Sequence, residues 1–217
     1  MDQVDGILDV GDMVPPFSLN SQVGEVDYED ITEGKWCLIV TVGGAFDPVT
    51  TTDIGMLSRF ELEWESRNIA VIVIGSDSIP NYRKWVRDIE ELQAVKVNVP
   101  ILNDDGCRIL RKFGCAKYMT AEEKAVPSCF GSFLVDLDRR IRWSNRGGMT
   151  NGRNWYECLR MFDALQLSIH NKILTPSNWG QGQDILLSGD ITKDEATLFR
   201  FTEIKPWFRL APLPDDL

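Results

Sequence analysis

Short apolar runs alternate with longer amphipathic segments over most of this chain. Trp36 to Val42 (W-C-L-I-V-T-V) and Ile69 to Gly75 (I-A-V-I-V-I-G) are largely apolar and rich in β-branched residues. Runs without polar alternation fit strands covered on both faces. Between them, Thr51 to Ser66 predicts a helix whose broad apolar face holds Ile54, Leu57, Phe60, Leu62 and Trp64. Ile79 to Glu91 predicts a second helix, with Pro80 in its first turn. Val99 to Leu102 reads as a short strand, and Asp104-Asp105-Gly106 turns into a helix over Arg108 to Phe113. Phe133–Asp136 and Ile141–Ser144 bracket the polar turn L-D-R-R, the pattern of a β-hairpin. Trp155 to Leu165 is again amphipathic. At the front, Val10 to Leu19 with Pro15-Pro16 is a lead-in segment ending in a short strand (F-S-L-N), before a polar turn around Gly24. The alternation predicts a three-layer α/β sandwich.

The pattern changes at Thr175. T-P-S-N-W opens a tail dense in turn formers, with a strand expected over Asp184–Leu187 and a short helix over Lys193–Phe199. The chain thus divides into a main domain, 1–174, and a C-terminal extension, 175–217. Trp207 and Phe208 lie in a segment too short to bury them alone, so the extension needs a packing partner. That partner is its own domain or a second copy of the chain.

Composition narrows the function classes. A length of 217 residues suits one domain with an appended piece. The net charge of −10 argues against nucleic-acid binding and against anionic membrane surfaces. No apolar run approaches the roughly 20 residues that span a bilayer. The acidic start, M-D-Q-V-D-G-I-L-D-V, has the pattern of neither a signal nor a transit peptide, so the expected location is cytoplasmic. The five cysteines, Cys37, Cys107, Cys115, Cys129 and Cys158, form no C-x-x-C pair. They read as reduced, mostly buried thiols. With His170 as the single histidine, no His-pair metal motif exists, and neither a metal nor a cofactor is expected.

The chemistry centres on Leu38 to Met56. An apolar strand runs into Gly43-Gly44, Asp47-Pro48 marks a turn, and Thr50 to Asp53 reads as a helix start with Thr50 as its N-cap. Strand, turn and helix N-terminus together aim backbone N–H groups and a positive dipole end at the turn.

The segment F-D-P-V-T-T-T-D (residues 46–53) resembles the active-site signature of the peroxiredoxins, in which F-T-P-V-C-T-T-E carries the peroxide-reducing cysteine. V-G-D-M-V-P-P-F-S-L-N (10–20) and S-R-N-I-A-V-I-V-I-G-S-D-S (66–78) resemble further family segments. N-G-R-N-W (151–155) and T-P-S-N-W (175–179) resemble the one-cysteine branch. The resemblance implies a thioredoxin-like fold and a C-terminal extension that takes part in dimer contacts, hence a homodimer. It also implies how the catalytic positions are filled. Thr50 stands where the family has its cysteine, and Asp47 where it has its threonine. Val42 stands at the branch's histidine and Phe130 at the strand arginine. Pro48 and Arg153 match. The phospholipase machinery of some one-cysteine members is also missing, since Lys35 and Glu29 stand at its serine and histidine positions, with Asp138 alone matching.

An alcohol cannot do the work of that thiol. Peroxide reduction needs a thiolate that cycles through a sulfenic acid. A threonine oxygen has no such cycle, and its alkoxide is out of reach near neutral pH without an adjacent base. No catalytic residue is therefore expected. Val42, Asp47, Pro48, Thr50, Phe130 and Arg153 form a vestigial pocket, in which Arg153 is a structural ion-pair donor or holds an anion. The expected function is that of a catalytically inactive homologue with a binding or structural role and an unidentified protein partner. The alternative is a weak thiol peroxidase using a displaced cysteine or a reshaped pocket.

Overall fold

In the computed structural model, residues 6–118, 124–192 and 199–214 are described. The chain divides into two compact units, 1–153 and 154–217.

The first unit is built on one mixed sheet of seven strands. Its elements run β1 (Ser18–Ser21), β2 (Gly24–Asp27), α1 (Tyr28–Thr32), β3 (Trp36–Thr41), α2 (Pro48–Arg59), α3 (Glu61–Ser66) and β4 (Ile69–Gly75). They continue with α4 (Ile79–Gln93), β5 (Ile101–Asn103), α5 (Arg108–Lys112), β6 (Ala116–Lys117), β7 (Val126–Pro127), β8 (Phe130–Val135) and β9 (Ile141–Gly147). The sheet order is β2-β1-β5-β4-β3-β8-β9. β3, β4 and β5 pair in parallel, and β8 closes antiparallel on β3 with Thr41 opposite Gly131. This is a thioredoxin-like α/β fold. β3 and β4 are buried along their whole length, as apolar strands with helical crossovers require. Ile39, Ile72, Ile74, Leu102, Phe113 and Phe133 share one core cluster. Phe113 and Phe133 meet at a centroid distance of 4.7 Å.

Several elements differ from the pattern-based expectation. The helix expected over Thr51–Ser66 starts earlier, at Pro48, and breaks at Phe60 into α2 and α3. Phe60 takes φ −88° and ψ 11°, outside the helical well, and stacks on Trp64. The break turns Leu62 outward, to 77% exposure, so it does not belong to the apolar face. α1 was hidden because it is only five residues long, with polar residues at most positions. The hairpin strands β8 and β9 extend to six and seven residues.

The second unit holds α6 (Trp155–His170), β10 (Ile173–Leu174), β11 (Ile185–Leu187), β12 (Thr202–Lys205) and β13 (Phe208–Ala211). The strands form an antiparallel sheet in the order β10-β11-β13-β12. Ile173, Ile185, Leu187, Ile191 and Ala211 make its small core. α6 runs one turn past the expected Leu165 and beyond, to His170. The expected strand near Leu187 is present, and the helix expected over 193–199 lies outside the described residues except for Phe199. Phe208 is part of β13, and Trp207, at the turn before it, is 77% exposed. No helix among the described residues is long and apolar enough to cross a membrane.

Candidate functional site

The C-terminal end of β3 and the N-terminus of α2 meet across the loop 42–47. Loops that leave the carboxyl ends of parallel strands are the usual place for ligands in open α/β sheets. Phe46 holds a left-handed backbone at φ 64°, an uncommon conformation for a bulky residue, and reverses the chain toward the helix.

Asp47, and not the expected Thr50, is the N-cap of α2. Proline fixes the reason. Pro48 occupies the first helical turn, where its missing N–H costs nothing, and it biases Asp47 toward extended backbone, the conformation a cap needs. Asp47 accordingly sits at φ −74°, ψ 127°. One of its carboxylate oxygens, Oδ1, accepts the Thr50 backbone N–H at 2.7 Å and the Thr50 hydroxyl at 2.7 Å. The Asp47 carbonyl accepts the Thr51 hydroxyl at 2.7 Å, and Trp85 of α4 donates to that same hydroxyl oxygen at 2.9 Å. The positive end of the helix is thus met by a carboxylate of the chain itself.

Thr50 is fully buried. Its contact with Asp47 has the form of an alcohol beside a base. A carboxylate is nevertheless too weak a base to hold an alcohol deprotonated near neutral pH, and the same oxygen is engaged by the backbone N–H.

One turn further along α2, Asp53 pairs with Arg153. Its Oδ2 accepts from Arg153 Nη1 at 2.7 Å, and its Oδ1 accepts the Arg153 backbone N–H at 2.8 Å. Both side chains are almost wholly buried, 6% exposed for Arg153 and 3% for Asp53. Burial raises the Asp53 carboxyl above its ordinary range; the hydrogen bonds and charge of Arg153 oppose that rise, and the Asp47 charge adds to it. The other arm of the guanidinium, Nη2, donates to the carbonyls of Thr41 and Gly131, the paired residues at the end of β3 and the start of β8. Arg153 Cζ lies 4.8 Å from the Phe130 ring centroid, a cation–π arrangement. Arg153 therefore fastens α2 to two strands.

Of the six residues singled out by sequence, Asp47, Pro48 and Thr50 share the helix mouth, and Phe130 and Arg153 stack. Val42 is buried at the start of the loop, where its N–H donates to Ile74 O at 2.9 Å. Sequence reasoning missed Asp53, Thr41 and Gly131 as the partners of Arg153. Asp53 carried a signal, as the acidic residue of the signature. The two carbonyl acceptors carried none, because any residue type supplies a carbonyl.

The cysteines are free, and all but Cys129 are buried. Burial drives the Cys37 thiol far above its ordinary range. Cys107 precedes α5 in a left-handed conformation and donates to Ala125 O at 3.3 Å. Cys115 donates to Phe113 O at 3.4 Å, and its sulfur lies over Gly131, the residue paired with Thr41.

Sequence and structure comparisons bear out the fold. The AhpC/TSA family profile matches residues 10–144. A 1-Cys peroxiredoxin of Dictyostelium discoideum is 32% identical over 215 residues, covering 98% of this chain and 88% of the relative. The structure of a yeast mitochondrial 1-Cys peroxiredoxin superposes with a TM-score of 0.87 at 27% identity, over 95% of this chain and all of the other. A cysteine-to-serine mutant of the peroxiredoxin 6 of Arenicola marina gives 0.88 at 26%, over 96% and 99%. The chain belongs to the AhpC/TSA family, the peroxiredoxins, in its one-cysteine, peroxiredoxin-6-like branch.

Proposed function

We propose that this chain is a peroxiredoxin homologue without peroxidase activity, which keeps the fold as a binding or structural scaffold. The observation that carries the reading is the pairing of Thr50 with Asp47. Where the resemblance puts the peroxide-reducing sulfur there is a buried alcohol, held at 2.7 Å by a carboxylate. Val42, Asp47 and Phe130 replace the groups that would activate or assist a thiol. The Asp47 charge opposes both an incoming thiolate and a bound peroxide anion. Arg153, the remaining family cation, is committed to Asp53 and to two backbone carbonyls.

The same reading extends to architecture. Residues 175–217 form the branch's C-terminal extension, the chain is a homodimer, and its free thiols suit a reducing compartment such as the cytoplasm. A second reading, a weak peroxidase working through a displaced cysteine, draws on the Cys115 sulfur, which lies over Gly131, the residue paired with Thr41.

Steady-state hydroperoxide consumption with a dithiol donor tests the proposal on wild type and Thr50→Cys together. Both are expected to run at the rate of the donor alone, because Asp47, Val42 and Phe130 remain in the variant. Turnover by wild type that alkylation abolishes supports the displaced cysteine. Robust turnover by Thr50→Cys alone shows that a single substitution separates this chain from an active enzyme, against the proposal of a dismantled site.

A further inference from the structure

A cavity of about 190 Å³ lies beside α5, lined by Gly6, Ile7, Arg108, Arg111, Lys112 and Ala116. It shares no residue with the helix mouth at Asp47 and Thr50. Half of its lining residues are cations, in a chain whose net charge is −10. Arg108, Arg111 and Lys112 stand at i, i+3 and i+4 of α5, so one helix face presents all three. Like charges at that spacing repel and weaken a short helix.

The ordinary use of cations in the last turn of a helix is to meet its unpaired carbonyls. Here the backbone meets them. Ile109 O accepts the Phe113 N–H at 3.1 Å, Leu110 O the Cys115 N–H at 2.8 Å, and Arg111 O the Gly114 N–H at 2.9 Å. Lys112 O accepts the Leu8 N–H at 2.7 Å. The cations are therefore not needed as caps. The neighbouring carboxylates are occupied as well. Asp104 interacts with the Arg108 charge, but it is buried, and its Oδ2 accepts the Ile109 and Leu110 N–H groups at 2.8 Å each. Asp105 pairs with Lys124. Among the described residues, no carboxylate forms an ion pair with Arg108 or Lys112.

The walls are held in place. Arg111 Nη1 donates to Tyr118 OH at 2.7 Å, and its Cζ stands 4.5 Å from the Tyr118 ring centroid. On the side of the N-terminal segment, Leu8 is tied twice, by its N–H to Lys112 O and by its carbonyl, which accepts Arg146 Nη2 at 2.7 Å. Arg146 brings a fourth positive charge to that wall. Ile7 packs over Gly114, 2.8 Å from where a side chain there would begin.

We propose that this cavity binds a phosphate group, either inorganic phosphate or the phosphate of a small monoester. Planar guanidinium forks take phosphate oxygens in pairs, and lysine supplies a point charge. Three cations match a phosphate dianion better than they match a carboxylate or chloride. The volume holds roughly six waters at about 30 Å³ each, room for a tetrahedral oxyanion with a short substituent. It is below the roughly 300 Å³ at which sites for larger ligands begin. The site uses neither Thr50 nor any thiol, so it stands or falls apart from the peroxidase question.

Isothermal titration of the full chain with inorganic phosphate, at constant ionic strength in a chloride buffer, tests the proposal. One saturable site per chain is expected. Arg108→Gln and Lys112→Gln are each expected to weaken it about tenfold, the loss of one charge-assisted hydrogen bond. Lys96→Gln, which removes an exposed cation elsewhere, is expected to leave it unchanged. A parallel titration with glycerol phosphate separates the two sources: binding tighter than that of phosphate assigns the site to a monoester, and weaker binding assigns it to the free ion. No saturable binding at millimolar phosphate overturns the proposal. So does binding that Arg108→Gln and Lys112→Gln weaken no more than Lys96→Gln does. The wild-type titration decides the first point even if a variant fails to fold.

Discussion

At the residue scale, one carboxylate settles what the helix mouth can do. Asp47 spends one oxygen on the Thr50 N–H and hydroxyl, so the anion that a helix N-terminus attracts is already present. The neighbouring pair, Asp53 with Arg153, is the costly one to disturb, because both partners are buried. Removing one partner leaves a buried charge without its counterion, which costs about 3–5 kcal/mol. Asp53→Ala should therefore lower the unfolding free energy from urea melts by a margin of that size, whereas a loss within a few tenths of a kcal/mol would show that water or backbone carbonyls suffice for Arg153. The shared position of Asp47, Pro48 and Thr50 at the helix mouth was legible in the sequence, because the segment around Pro48 is short and ordered. The connections of Arg153 were not. The Asp53–Arg153 bond spans 100 positions, and Thr41 and Gly131 act through backbone atoms that carry no residue signature.

At the scale of elements, α2 shows how local sequence and tertiary packing divide the work. The motif D-P-V-T holds two possible caps, Asp47 and Thr50, and the sequence was read in favour of the second. The structure selects Asp47 because Pro48, with φ fixed and no N–H to satisfy, suits the first helical position directly after that cap. Asp47→Ala removes that cap and should destabilise the chain by about 1 kcal/mol in denaturant melts. Thr50→Val, which keeps the Thr50 N–H bond to Asp47 and loses only the hydroxyl, should cost less. The reverse order would restore Thr50 as the principal cap. The buried strands β3 and β4 were legible because nothing polar interrupts their core-facing residues. The strands β12 and β13 were not, since β12 is exposed throughout and lacks any burial pattern to read.

At the scale of the whole molecule, the family fold is kept, and the reading proposed above is that the residues carrying its reaction have changed. A mixed sheet with fully buried central strands does not depend on a reactive thiol at the helix mouth, so the proposed loss is compatible with the fold. Trp207 and Ile204, both more than half exposed, are apolar surface that the proposed dimer would cover. Light scattering is expected to return the mass of two chains, and Trp207→Glu is expected to shift the population toward one; a monomeric wild type would remove dimerisation from the account. The most direct test of the central claim is a rapid-mixing experiment in which one equivalent of hydroperoxide meets the fully reduced chain with no donor present. The account predicts that peroxide disappears no faster than with free cysteine at the same thiol concentration. Rapid consumption of one equivalent, with a sulfenic acid trapped on any cysteine, would contradict it.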